Sequence, residues 1–220
     1  MTDPRPAPGR RRIGRFSRAE RLVHRLTAGL MLVCIITAAI LYNGSISLRV
    51  GHRHVVELVH VYSGLALPVP MLSGLISLAY RADLSRLNRF TSADWRWLRS
   101  RGRDARSLIG KFNAGQKLNA WLSCAAILVL LGSGVIMYFV GLTPLAWRTG
   151  ATFVHDWVAL AVGLLVLGHI YRAASDVEAR RGMRRGSVSQ QWARDNHAAW
   201  AQEQLEVPPP EELAGRPEGS

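Results

Sequence analysis

Two histidines, His155 and His169, lie fourteen residues apart in one apolar stretch running from Phe153 to Arg172. On an α-helix that separation is about 21 Å and just under four turns, so both imidazoles leave the same face. Between them on that face stand Ala159, Val162 and Val166, small enough for a flat group to lie alongside. An apolar bilayer core is about 30 Å thick, which places one histidine toward each surface of a membrane. Ionisable side chains at such depths are costly and mark metal sites, proton paths or ligand sites. The bland reading, a packed and hydrogen-bonded histidine, serves well for one residue and less well for two at matched positions.

The elements that must position these residues follow from the patterning. The apolar runs are about 22–42, 55–80, 118–140 and 153–172. Each is long enough to span. The fold expected is all-α, a four-helix transmembrane bundle. Pro68 and Pro70 are expected to kink the second span, which neighbouring helices can accommodate. Residues 81–112 are expected to form a polar loop with a short interfacial helix at Asp94–Leu98, since tryptophan favours headgroup depth. The division expected is a disordered basic arm over residues 1–21, a membrane domain over 22–172, a tail over 173–205 and a disordered Pro/Glu-rich end over 206–220.

Charge sets the orientation. The arm carries seven Lys and Arg, residues 81–117 carry ten, and the chain from Arg172 carries seven. The remaining connections hold only Arg49, Arg53 and Arg148. The positive-inside rule therefore places both termini and the middle loop in the cytoplasm of a bacterial plasma membrane. The net charge of +13 does not point to nucleic acid, because the arginines flank apolar runs and form no aromatic-interleaved groove. Cys34 and Cys124 form no CxxC pattern, which argues against thiolate metal sites; both are expected as small packing residues.

Depth then pairs the histidines. His24 begins the first span at the cytoplasmic side, and His60 lies one to two turns into the second from the outer side. His155 is outer and His169 inner. The matched pairs are His24 with His169 and His60 with His155, at two levels, with no histidine from the third span. Two imidazoles on one haem iron fill both axial positions and suit electron transfer. Gly64 and Ala28, one turn beyond His60 and His24, leave room beside such a group. Zinc would draw four ligands to one point, whereas these pairs stand about four turns apart. A proton relay would string Asp, Glu and His along a path, whereas Asp156 lies only at the margin of its span. The expectation is two haem b groups with the four histidines as iron ligands. Covalent attachment is excluded by the absence of Cys-x-x-Cys-His. His52, His54 and His197 are expected to be solvated or interfacial, with His54 the rival to His60.

Asn113-Ala114-Gly115-Gln116 opens the third span. Asn and Gln at this spacing form a capping box. The same amides can donate to a quinone carbonyl, and Gly115 lets a ring approach the backbone. The two roles are compatible.

At these residues the chain resembles the cytochrome b (gamma) subunit of membrane-bound formate dehydrogenases, within the wider di-haem cytochrome b family. The resemblance covers about residues 14–202. It is carried by Glu20-Arg21-Leu22-Val23-His24, Leu58-Val59-His60, Asp94-Trp95-Arg96-Trp97-Leu98 and the stretch from Gly110 to Leu118. His155, Gly168-His169-Ile170-Tyr171, Arg185-Gly186-Ser187-Val188-Ser189, Trp192-Ala193-Arg194 and His197 complete it. It implies partners on the outer face: an iron–sulfur subunit and a molybdenum or tungsten catalytic subunit. Electrons would enter at His60 and His155, cross to His24 and His169, and reduce a quinone held by Asn113, Gly115 and Gln116. The chain itself would be an electron-transfer and quinone-reducing subunit, surrounded by membrane lipid. Pro68, Pro70 and the Pro-rich end depart from the family pattern. A cytochrome subunit of a hydrogenase or thiosulfate reductase, a stand-alone di-haem oxidoreductase, and a haem-free adaptor with packing histidines are the alternatives.

Overall fold

The structure is a computed structural model describing residues 11–100 and 108–206. The first ten residues of the basic arm, residues 101–107 of the middle loop and the Pro-rich end from 207 lie outside the described residues. The described chain is helical apart from one short two-stranded sheet. It divides into two units, residues 17–84 with 118–176, and residues 11–16, 85–100, 108–117 and 177–206.

The first unit holds the spans. Helix α1 runs over Arg18–Tyr42. Its first turn is closed by a capping box in which the Ser17 amide donates to Glu20 Oε2 at 2.6 Å and the Glu20 amide to Ser17 Oγ at 3.3 Å. Such reciprocal bonds satisfy two of the orphan donors at a helix start. Asn43 ends α1 and caps the short helix α2, Gly44–Val50, through its Oδ1. The chain turns at Gly51 and His52, both at positive φ, into α3, Arg53–Ala66. Arg53 donates to the Leu41 carbonyl at 3.0 Å and to Ser47 Oγ at 3.2 Å, tying the turn to the end of α1.

Leu67 keeps right-handed helical dihedrals between α3 and α4, Pro68–Gly74. The prolines therefore interrupt the hydrogen-bond ladder without ending the span, as expected for Pro at a helix start. The span ends at Gly74, earlier than the Tyr80 read from the sequence. A methyl on Gly74 would meet Tyr80 and Val23 at 2.9 Å, so the chain passes closely there and restarts as α5, Leu78–Asn88. Helix α7 covers Ala114–Tyr138 and α8 covers Leu145–Ser175. Four helices are thus long and apolar enough to cross a membrane: Arg18–Tyr42, Arg53–Gly74, Ala114–Tyr138 and Leu145–Ser175. Their shared core is Met31, Leu67, Ile127 and Val162, one residue from each span. Cys34 packs against this core, whereas Cys124 is exposed on α7, contrary to the expectation of packing for both. Leu128, Leu160, Leu164 and Leu167 are also exposed, as side chains facing lipid should be.

The second unit gives regular structure to the polar segments read as loop and tail. The expected interfacial helix is present as α6, Ser92–Arg99, with its own capping box between Thr91 and Asp94. Strand β1, Arg12–Gly14, pairs antiparallel with β2, Ser187–Ser189, so the arm is ordered from Arg12 onward. Helices α9, Val177–Arg185, α10, Gln190–Asn196, and α11, Ala198–Glu206, complete the unit. Its core is Val188, Ala193, Trp200 and Ala201.

His197, expected to be solvated, is 2% exposed. Its Nδ1 lies 2.8 Å from the Gly110 carbonyl and therefore carries the proton it donates. Its Nε2 accepts from the Arg15 guanidinium at 3.1 Å. Arg15 stacks on Trp192 at 4.6 Å. Burial, and then the Arg15 charge, push the His197 pKa from 6.5 down to about 3. The folded state thus favours neutral imidazole, and the unfolded chain binds the extra proton between these two values. This stabilisation is complete above about pH 6.5 and is lost as pH falls toward 3. Lowering the pH from 7 to 5 is expected to destabilise the unit by ~2 kcal/mol. Denaturant midpoints at the two pH values measure it. His197→Gln should flatten that part of the profile, and an unchanged slope in the variant would refute the assignment to His197.

Candidate histidine pairs and the cap of the third span

The depth pairing read from the sequence is the pairing in the structure. His24 on α1 faces His169 on α8 with ring centroids 6.2 Å apart. His60 on α3 faces His155 on α8, also at 6.2 Å. His54 is exposed and takes no part in that pair. A centroid separation of 6.2 Å lies within the range of ordinary ring pairs. It is the sum of two metal–nitrogen bonds of about 2.0 Å and about 1.1 Å from each nitrogen to its ring centre. Both pairs leave a spacing between the rings that a single metal atom would match.

The His60–His155 pair also has its tautomers set. Thr37 Oγ1 donates back to the carbonyls of Val33 at 2.7 Å and Cys34 at 3.1 Å. Its hydroxyl proton is thereby used, so at 2.9 Å from His60 Nδ1 it accepts the ring proton. Ser133 repeats the arrangement on α7. It donates to Val129 at 2.7 Å and Leu130 at 3.2 Å, and accepts from His155 Nδ1 at 3.0 Å. Both rings therefore hold Nδ1–H and keep the Nε2 lone pair for a metal. Thr37 and Ser133 are each 7% exposed. Neither was singled out from the sequence. Thr37 lies thirteen residues beyond His24, so the same depth arithmetic puts it at the level of His60. A hydroxyl at a histidine's level was the available signal.

The surroundings fit a flat macrocycle. Nothing lies within 4 Å of a methyl placed on Gly64, one turn beyond His60. A methyl on Gly134 would sit 3.4 Å from His155 Cε1, so α7 backs that ring closely. Among the described residues no cluster of three or more His, Cys, Asp or Glu could hold a bare metal ion. Paired imidazoles with room for a prosthetic group are the arrangement present.

The cap of α7 is formed as read. The Gln116 amide N–H donates to Asn113 Oδ1 at 2.9 Å, and the Asn113 amide N–H to Gln116 Oε1 at 3.0 Å. These bonds engage the side-chain oxygens and not the NH2 groups, which a carbonyl ligand would require. Gly115 does admit a ring, and that ring is Trp97: a methyl on Gly115 would lie 3.0 Å from its Cη2. Asn113 lines a cleft of about 180 Å³ with Asp94, Trp97, Ile109, Gly110 and Lys117. Gly115 and Gln116 are not part of its wall.

Comparison with known proteins agrees with this architecture. Residues 15–183 match the family model described as prokaryotic cytochrome b561. The nitrate-inducible formate dehydrogenase cytochrome b556(Fdn) subunit of Escherichia coli K12 is 34% identical over 98 residues, 43% of this chain and 45% of that protein. The E. coli K12 formate dehydrogenase cytochrome b556(fdo) subunit is 31% identical over 97 residues, 43% of this chain and 46% of that protein. The formate dehydrogenase cytochrome b556 subunit of Haemophilus influenzae is 32% identical over 99 residues, 44% of this chain and 42% of its own. The matches thus span less than half the length of these relatives. The family match is far longer: it begins before the cap of α1, takes in all four histidines and reaches into α9. The chain therefore belongs to the prokaryotic cytochrome b561 family, multi-pass bacterial membrane proteins that bind haem b.

Proposed function

We propose that this chain is the di-haem cytochrome b subunit of a respiratory complex of the formate dehydrogenase type. His60 and His155 would hold one haem b at the outer level, and His24 and His169 the second at the inner level. The observation that carries this reading is the 6.2 Å separation found at both pairs. Haem b held by two imidazoles supplies one-electron transfer. The chain contributes the ligands, the apolar layer of Met31, Leu67, Ile127 and Val162, and a path through the membrane.

In this reading both termini are cytoplasmic, residues 22–172 form the di-haem domain, and an iron–sulfur subunit docks on the outer face with a molybdenum or tungsten subunit. Formate as the ultimate donor is suggested by the names of the relatives. Quinone would be bound on the cytoplasmic side by Asn113, Gly115 and Gln116, with the two amide NH2 groups as donors to a carbonyl. Protons taken from the cytoplasm would make the reaction build membrane potential.

Two measurements test it. The reduced-minus-oxidised optical spectrum of the purified chain should count two b-type haems per polypeptide, and a folded chain expressed with adequate haem yet lacking it would overturn the reading. Asn113→Ala or Gln116→Ala should leave both haems in place and suppress quinone reduction at least tenfold. Full quinone reductase activity in both variants would remove these residues from the site.

A further inference from the structure

We propose that Thr37 and Ser133 are positioning residues that hold the outer haem at a lower reduction potential than the inner one, and so give the electron path its direction. The inference rests on the two-haem reading above. It starts from an asymmetry. Each imidazole of the His60–His155 pair donates its Nδ1 proton to a buried hydroxyl, at 2.9 Å and 3.0 Å. Among the described residues neither His24 nor His169 makes a side-chain hydrogen bond of this kind.

A serine or threonine bonded to the carbonyl one turn back is common in apolar helices and is by itself only structural. Here the same oxygen has a second partner in both cases. The hydroxyls come from different helices, α1 and α7, and serve histidines that face each other from α3 and α8. Helix α7 has no histidine, and Ser133 gives it a part in the site. With both hydroxyl protons used by helix carbonyls, each oxygen can only accept from the ring. A hydrogen bond from Nδ1–H polarises the ring toward Nε2 and makes that nitrogen a stronger donor to iron. A stronger donor stabilises ferric over ferrous iron and lowers the potential.

The outer level is where the iron–sulfur partner would deliver electrons, and quinone on the inner side would accept them. One electron enters and one leaves. No bond forms, and the ring and hydroxyl protons stay where they are. A lower potential at the outer site makes the inward step downhill.

The test is a potentiometric titration of the purified chain followed by its optical spectrum. His155→Ala and His24→Ala identify which midpoint belongs to which level. In the wild-type chain the outer midpoint should be the lower one, and an outer midpoint at or above the inner one overturns the proposal whatever the variants do. Thr37→Val and Ser133→Ala should each retain both haems and raise the outer midpoint, together by about tenfold in the ferrous/ferric equilibrium, or ~59 mV for one electron. Thr37→Ser, which keeps the hydroxyl, should restore the wild-type value. Ser133→Ala removes a single oxygen and gives the same comparison where Thr37→Val costs the protein its haem. Two haems with unmoved midpoints in Ser133→Ala refute the assignment while leaving the two-haem reading intact. A folded wild-type chain without haem refutes the reading itself.

Discussion

Replacing His155 with alanine should remove the low-spin signal of one b-type haem and leave that of the other. On the two-haem reading proposed above, the b-type absorbance per polypeptide should fall to about half, because each haem would be held by one pair and the two pairs use different stretches of α8. His155 and His169 are about 21 Å apart along that helix, with the buried Val162 midway between them. Loss of one ligand therefore leaves the second site's contacts untouched. His24→Ala should show the reciprocal result, removing the signal that survives in His155→Ala. The double variant should have neither. A haem retained in His155→Ala with one open axial position would appear as a high-spin band, and the low-spin signal would still be halved. An unchanged spectrum in His155→Ala would reduce the 6.2 Å pairing to a packing coincidence. Loss of all low-spin signal from either single variant would mean that the two sites are not independent.

The parts of the molecule legible in the sequence are those governed by one-dimensional spacing. His24, His60, His155 and His169 could be paired because helix rise and span direction convert residue number into depth. The α7 cap was equally readable, since Asn113 and Gln116 have the capping-box interval and make its bonds. The end of the second span at Gly74 was not readable. Leu75 and Ile76 continue the apolar run, and only the close passage of Val23 and Tyr80 against Gly74 explains the break. The ordered arm and tail were missed for a different reason. Arg15 and His197 are 182 residues apart and stack with Trp192 in a small core. Local composition there is basic and polar, and nothing local says that a distant histidine will accept from that arginine. Thr37 and Ser133 fall between these cases: their depth could be read, but their orientation toward a particular ring required the assembled helices.

Removing the carboxylate of Asp94 should destabilise the second unit more than any surface change to α6. Asp94 Oδ2 accepts from the Lys117 ammonium at 2.7 Å, and the two side chains are 7% and 10% exposed. The same oxygen accepts from the Thr91 amide at 2.8 Å and the Thr91 hydroxyl at 2.9 Å. Lys117 also donates to the Arg89 carbonyl at 2.8 Å, with its charge 5.6 Å from the centre of the Phe90 ring. The pair joins α6 to the first turn of α7. An exposed pair contributes up to about 1 kcal/mol, but leaving one buried charge without its partner costs ~3–5 kcal/mol. Asp94→Ala is expected in the larger range, since it strands the Lys117 ammonium and breaks the α6 capping box. The double variant Asp94→Leu/Lys117→Met should recover most of that loss, because a well-packed apolar pair can match a buried ion pair. It should stay short of full recovery by ~1 kcal/mol for the missing cap. Denaturation of the detergent-solubilised protein in a double-mutant cycle measures each arm. A loss below ~1 kcal/mol in Asp94→Ala would mean that the pair is solvated like a surface bridge. Equal losses in the single and double variants would assign the whole effect to the Thr91–Asp94 cap, with none left for the charge pair.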